Sequence, residues 1–83
     1  MSAFNQLIEK QLKTMEKLLL LQSEIERYQL AEKELIELGK LVELEQIKRE
    51  LLEMNKEINV IQAEFNRQTN DVIRTYSEEK ATH

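Results

Sequence analysis

A chain of 83 residues, 41% apolar and 34% charged, is too apolar for a disordered tail, yet so short that a lone monomer is only marginally stable. Its 16 acidic and 12 basic side chains are interleaved and sum to a net charge of -4, so it lacks the concentrated basic face that duplex nucleic acid requires. It has no cysteine, which excludes disulfides, thiolate metal sites and cysteine nucleophiles, and its longest uncharged Leu-rich run, Leu18 to Ser23, is far short of the ~20 apolar residues of a membrane span.

Glu, Lys, Leu and Gln dominate, and these are good helix formers, so the fold class is all-α. The first element predicted is a helix over about residues 3–38. Its opening residues show no basic region followed by a long apolar core, so a signal peptide is not expected and the cytoplasm is the default location. Phe4, Leu7, Ile8, Leu12, Met15, Leu18 and Leu19 recur at helical spacing, followed by Ile25, Tyr28, Leu35 and Ile36. A heptad frame with Ile8, Met15, Gln22, Gln29 and Ile36 at position a leaves Leu12 and Leu19 at e, and Leu7, Leu21, Tyr28 and Leu35 at g. An apolar arc this broad faces more than one neighbour. Leu12, Leu19, Leu21 and Tyr28 are the candidate self-association surface, and of the leucines from Leu18 to Leu21, Leu20 is the one expected outside the core.

A turn is predicted over about residues 39–41. Gly39 is the only glycine, no proline is present, and the a-frames on either side of Gly39 are out of phase. Inside a continuous helix glycine costs roughly 1 kcal/mol against alanine, whereas just past a helix end it adopts the left-handed conformation without strain. The alternative is one helix running through Gly39 and pairing as a parallel rod of over ~100 Å.

The second helix is predicted over about residues 42–76, with a polar, disordered tail over 77–83. Leu44, Leu51, Ile58, Phe65 and Val72 fall at a, and Ile47, Met54, Ile61 and Gln68 at d, a heptad seam broken only by Gln68. Position g reads Glu43, Glu50, Glu57, Glu64 and Asp71. This acidic column is either a solvated flank or a docking strip for a basic partner, and it makes helix two a poor partner for its own copy. With an apex at Gly39, Leu18 lies level with Ile58 and Ile61.

Little else suggests chemistry. His83 is the only histidine and ends the chain, no serine has a histidine to activate it, and one glycine cannot build a phosphate loop. The expectation is therefore no catalytic, cofactor or metal residue. Tyr28 and Tyr76 read as seam-edge packing.

The segments "FNQLIEKQLKTMEKLLLLQSEIER" and "FNRQTNDVIRTY" resemble the YgaB-like family of small proteins from bacilli, over nearly the whole chain. The resemblance implies a cytoplasmic protein and brings no functional residues with it. A second, partial likeness is to small helical-hairpin phosphatases of sporulation response regulators, which carry a serine-glutamine-glutamate-leucine-aspartate motif. Gln22, Ser23, Glu24, Ile25 and Glu26 match it only with the first two residues swapped, glutamate in place of the last aspartate, and on the opposite arm.

These readings combine into a two-helix antiparallel hairpin, coiled-coil-like, that pairs into a four-helix assembly. Its expected function is a non-catalytic protein–protein interaction module with two partners: its own copy, as a homodimer, and an unidentified protein. The alternatives are a regulatory hairpin docking on a signalling protein such as a response regulator, and the rod-like spacer.

Overall fold

A computed structural model describes residues 2–81. Two helices, α1 (Ala3–Leu38) and α2 (Leu41–Ala81), fold back on each other as a hairpin of 65 × 16 × 14 Å. Among the described residues there is no strand, and no helix is long and apolar enough to cross a membrane.

The turn is made by Gly39 and Lys40 alone. Gly39 sits at φ 69°, ψ 24°, the left-handed region that a side chain disfavours. Its N–H donates to the Ile36 carbonyl at 3.2 Å, and the Lys40 N–H donates to the Leu35 carbonyl at 3.1 Å. This pair of bonds is a Schellman motif, which satisfies carbonyls the helix end would otherwise orphan. The next helix starts at once, with the Leu44 N–H donating to the Lys40 carbonyl at 3.0 Å. At the other end of α1, the Ser2 hydroxyl accepts from the Asn5 N–H at 3.2 Å, an N-cap. The continuous-rod alternative falls with this turn.

Every position of the predicted α2 seam faces α1. Leu44, Leu51 and Ile58 are buried, and Ile47, Met54, Ile61, Phe65, Gln68 and Val72 are half-buried. On α1 the inward positions are Phe4, Leu7, Gln11, Thr14, Leu18 and Leu21, then Ile25, Tyr28, Glu32 and Leu35. They alternate in steps of three and four, so α1 has a true heptad seam, but not the one expected. It is rotated onto the columns that the predicted frame placed at d and g. The predicted a residues Met15, Gln22, Gln29 and Ile36 are exposed, and Ile8 is half-buried. In the observed frame a is Phe4, Gln11, Leu18, Ile25 and Glu32, and d is Leu7, Thr14, Leu21, Tyr28 and Leu35.

The core is a cluster of Leu21, Ile25, Leu51 and Ile58, against which Leu18, Tyr28, Ile47, Met54 and Ile61 pack. Leu18 and Ile61 flank it together, the level that a Gly39 apex predicts. Toward the open end the seam turns polar. Gln11 Nε2 donates to Thr69 Oγ1, and Thr14, only 5% exposed, returns its hydroxyl proton to the Lys10 carbonyl at 3.1 Å. Beyond this layer the Phe4 and Tyr76 rings meet with centroids 5.7 Å apart.

α2 does not stop near Tyr76. Where a disordered tail was expected, it stays helical to Ala81. Glu, Lys and Ala favour helix, and the Lys80 ammonium lies 5.6 Å from the Tyr76 ring centroid, one turn below it. The last two residues of that tail, Thr82 and His83, lie outside the described residues.

Candidate interaction surfaces

Two helices that share one seam leave two flanks. In an antiparallel pair the g columns of both helices border one flank, and the e columns border the other. The structure separates their chemistry.

The g flank is charged. Near the open end Lys10, Lys13 and Lys17 of α1 line an open groove with Glu64, Arg67 and Asp71 of α2. Asp71 is also bound by Arg74 at 3.0 Å. Nearer the turn, Lys17, Glu24 and Glu57 line the continuation of the groove, with Leu20, 68% exposed, on its wall. Past Lys17 the α1 side of this flank has no further base in its g column, where Glu24, Ala31 and Leu38 follow one another. The acidic column is therefore divided. Glu64 and Asp71 share their part of the groove with Lys10, Lys13 and Lys17, Glu57 shares its part with Lys17 and Glu24, and no base stands in the α1 g column opposite Glu43 and Glu50. The strip read as uniform in sequence thus has lysines across the groove only toward the open end.

The e flank is different. On α1 its e and b positions read Asn5, Ile8, Leu12, Met15, Leu19 and Gln22. Leu12 and Leu19 are 54% and 58% exposed, a stripe that the hairpin core leaves uncovered. On α2 the same flank reads Leu52, Asn55, Asn59, Gln62, Asn66 and Thr69. Along this stretch neither helix contributes a formal charge, in a chain that is 34% charged. Charges return on this flank toward the turn, with Glu26 and Lys33 on α1 and Glu45 and Lys48 on α2, and at the open end of α2 with Lys80.

The candidate self-association residues thus divide. Leu12 and Leu19 lie on the open e flank, Leu21 is 8% exposed within the hairpin's own core, and Tyr28 packs half-buried against that core. Leu21 and Tyr28 are corrected to seam residues. The rotated frame explains this, because a one-column error exchanges seam and flank. Of the phosphatase-like pentapeptide, Ile25 is committed to the core, and its neighbours Gln22, Ser23, Glu24 and Glu26 are exposed.

The buried polar layer went unread in the sequence. Thr69 accepts from Gln11 while its own hydroxyl donates to the Phe65 carbonyl at 3.0 Å, and Gln68 Oε1 is buried without a hydrogen-bond partner. The signal was present in Gln68, the one polar break in the α2 seam. Folding the chain at Gly39 brings that break opposite Gln11 and Thr14. Among the described residues no group of histidines, cysteines or carboxylates is arranged to hold a metal ion.

A family described as YgaB-like protein matches residues 3–79. A protein of Bacillus subtilis (strain 168), described as uncharacterized protein YgaB, is 43% identical over 76 residues, which cover 92% of this chain and 67% of that protein. No solved structure matches.

Proposed function

We propose that this chain, which belongs to the YgaB-like family, is a cytoplasmic, non-catalytic helical hairpin that binds protein surfaces. It pairs with its own copy through α1 and keeps the acidic g flank for a second protein. The observation that carries this reading is the exposed stripe of Leu12 and Leu19 with Met15, set apart from the residues that hold the hairpin together. A helix that needs only its seam to fold has no internal use for a second apolar column, and a stripe of this kind marks an interaction site. The small core supports the same reading. Among the described residues no side chain is fully buried, so a single hairpin has little apolar burial to set against the entropy of ordering the chain.

The second partner is assigned to Glu43 and Glu50, the part of the strip with no base in the α1 column opposite, where a basic helix or loop would meet acids that no lysine of this chain faces across the groove. Substituting Leu12→Glu together with Leu19→Glu tests the self-pairing. Both side chains are more than half exposed in the single hairpin, so helicity by circular dichroism is expected to persist while the mass by light scattering falls to that of a monomer. An unchanged mass would remove α1 from the interface.

A further inference from the structure

The charge-free part of the e flank spans both helices, and its two halves are level. On α1 the apolar stripe runs from Ile8 to Leu19, centred near Lys13 and Thr14. On α2 the uncharged column runs from Leu52 to Tyr76, centred near Glu64, with its amides Asn55, Asn59, Gln62 and Asn66 in the turn-ward part. The bond from Gln11 to Thr69 fixes the antiparallel register, which brings those two centres to within about 4 Å of the same height.

We infer that this flank is a two-fold interface between two copies of the chain, built from the leucine stripe of α1 and the uncharged column of α2 together, with the two turns pointing in opposite directions. The inference rests on the self-pairing proposed above and adds its face, its second helix and its geometry. A two-fold axis lying in the interface, across the hairpin at the shared level, sets α1 antiparallel on α1 and α2 antiparallel on α2. Apolar residues then meet apolar residues. On α2 the axis sets Asn66 beside its own copy, Gln62 against Thr69, Asn59 against Ile73 and Asn55 against Tyr76, all of them uncharged, and the Asn66 amide carries both the donor and the acceptor that a contact with its own copy needs. Isologous contact requires a patch complementary to itself in this way. Charge selects the flank: pairing through the g flank would desolvate Lys10, Lys13, Lys17, Glu64 and Asp71, whereas the e flank from Asn5 to Gln22 on α1 and from Leu52 to Tyr76 on α2 carries no charge to repel or to desolvate.

The shared level lies nearer the open end than the turn, so the copies are staggered. At 1.5 Å per residue it is roughly 16 Å from the open end and roughly 38 Å from Gly39, giving an overlap of about 32 Å and a dimer about 75 Å long. Over a hairpin 16 Å wide, that overlap covers on the order of 500 Å² per copy, about 1,000 Å² in total, the lower limit for a specific interface. Pairing should therefore depend on concentration, with a dissociation constant on the order of micromolar.

Two measurements decide it. Asn59→Glu with Asn66→Glu places charge on the α2 half without touching the leucines, and Val60→Glu, 68% exposed on the other side of α2, is the control. Sedimentation equilibrium should show the double variant dimerising at least tenfold more weakly than the parent, and the control unchanged. Spin labels on single cysteines, introduced in a cysteine-free chain, then read the geometry. Labels at Glu16 should lie within about 30 Å across the dimer, and labels at Lys40 at about 75 Å, from the helical rise. If the double variant dimerises like the parent while the Leu12 and Leu19 variant does not, pairing uses α1 alone. The inference then falls and the proposed self-pairing stands. Short Lys40 distances would overturn the opposed geometry, and a parent that stays monomeric to millimolar concentration would overturn both.

Discussion

The turn-ward and open halves of this hairpin are held by different means. Between Leu18 and Tyr28 the helices share an aliphatic cluster in which Leu21, Ile25, Leu51 and Ile58 are all buried. Beyond it the seam passes through Gln11, Thr14, Gln68 and Thr69 before closing on Phe4 and Tyr76. Aliphatic packing supplies free energy but discriminates poorly between registers one heptad apart, because leucine is nearly as good a neighbour as isoleucine. A polar layer adds little energy and much specificity, since any slip leaves its amides and hydroxyls facing hydrocarbon. The two halves divide stability and register between them.

The largest effect is expected where the energy lies. Leu51→Ala should cost about 2–4 kcal/mol, enough to unfold a marginal hairpin, whereas neighbouring Leu52→Ala, at a site 56% exposed, should change stability by less than about 0.5 kcal/mol. Urea unfolding followed by circular dichroism gives both values, and equal effects would mean that the core lies elsewhere. Gly39→Ala comes next. A Cβ there would meet nothing within 4 Å, so the cost is the left-handed backbone alone, about 1–2 kcal/mol. The same unfolding experiment measures it, and no loss would indicate that the turn adopts another conformation.

In the open half the expected sign reverses. Gln68→Leu removes a buried acceptor without a partner and should stabilise by on the order of 1 kcal/mol. The same change should blur the register, seen as a broader distance distribution between spin labels at Asn5 and Ser77. Gain without broadening would deny the polar layer its specifying role. The smallest effect is on the charged flank. Glu57→Lys places a base beside Glu24 but also beside Lys17 in the groove, so it should change stability by less than about 0.5 kcal/mol, with no change left in high salt.

Helix two was legible because its apolar residues occupy one face and little more. Leu44, Ile47, Leu51, Met54, Ile58 and Ile61 admit a single heptad frame, and all face α1. Helix one was legible as a helix but not in its orientation. Its apolar residues spread over the seam and the e flank, and the frame read from them used Ile8, Met15 and Ile36, which turn away from the seam or border it, while passing over Gln11 and Thr14, which lie in it. Leu21 was assigned to the outer surface for the same reason, and Tyr28 was placed both there and at the seam edge, where it packs. The helical end of α2 was lost because Ser77 to Ala81 have no apolar seam, although their propensity and the Tyr76 and Lys80 contact suffice to continue the last turn.

The sequence alone was enough for the helical class, the reversal at Gly39, the α2 seam and the acidic column, because backbone propensity, a residue without Cβ and a one-faced period are properties of a single chain segment. The division of α1 into core and flank, the lysines set across the groove from the open-end part of the acidic column and the charge-free face shared by two helices emerged only with the fold. Each depends on which residues stand opposite one another, and a period of seven permits several alignments until two helices meet and the polar layer selects one.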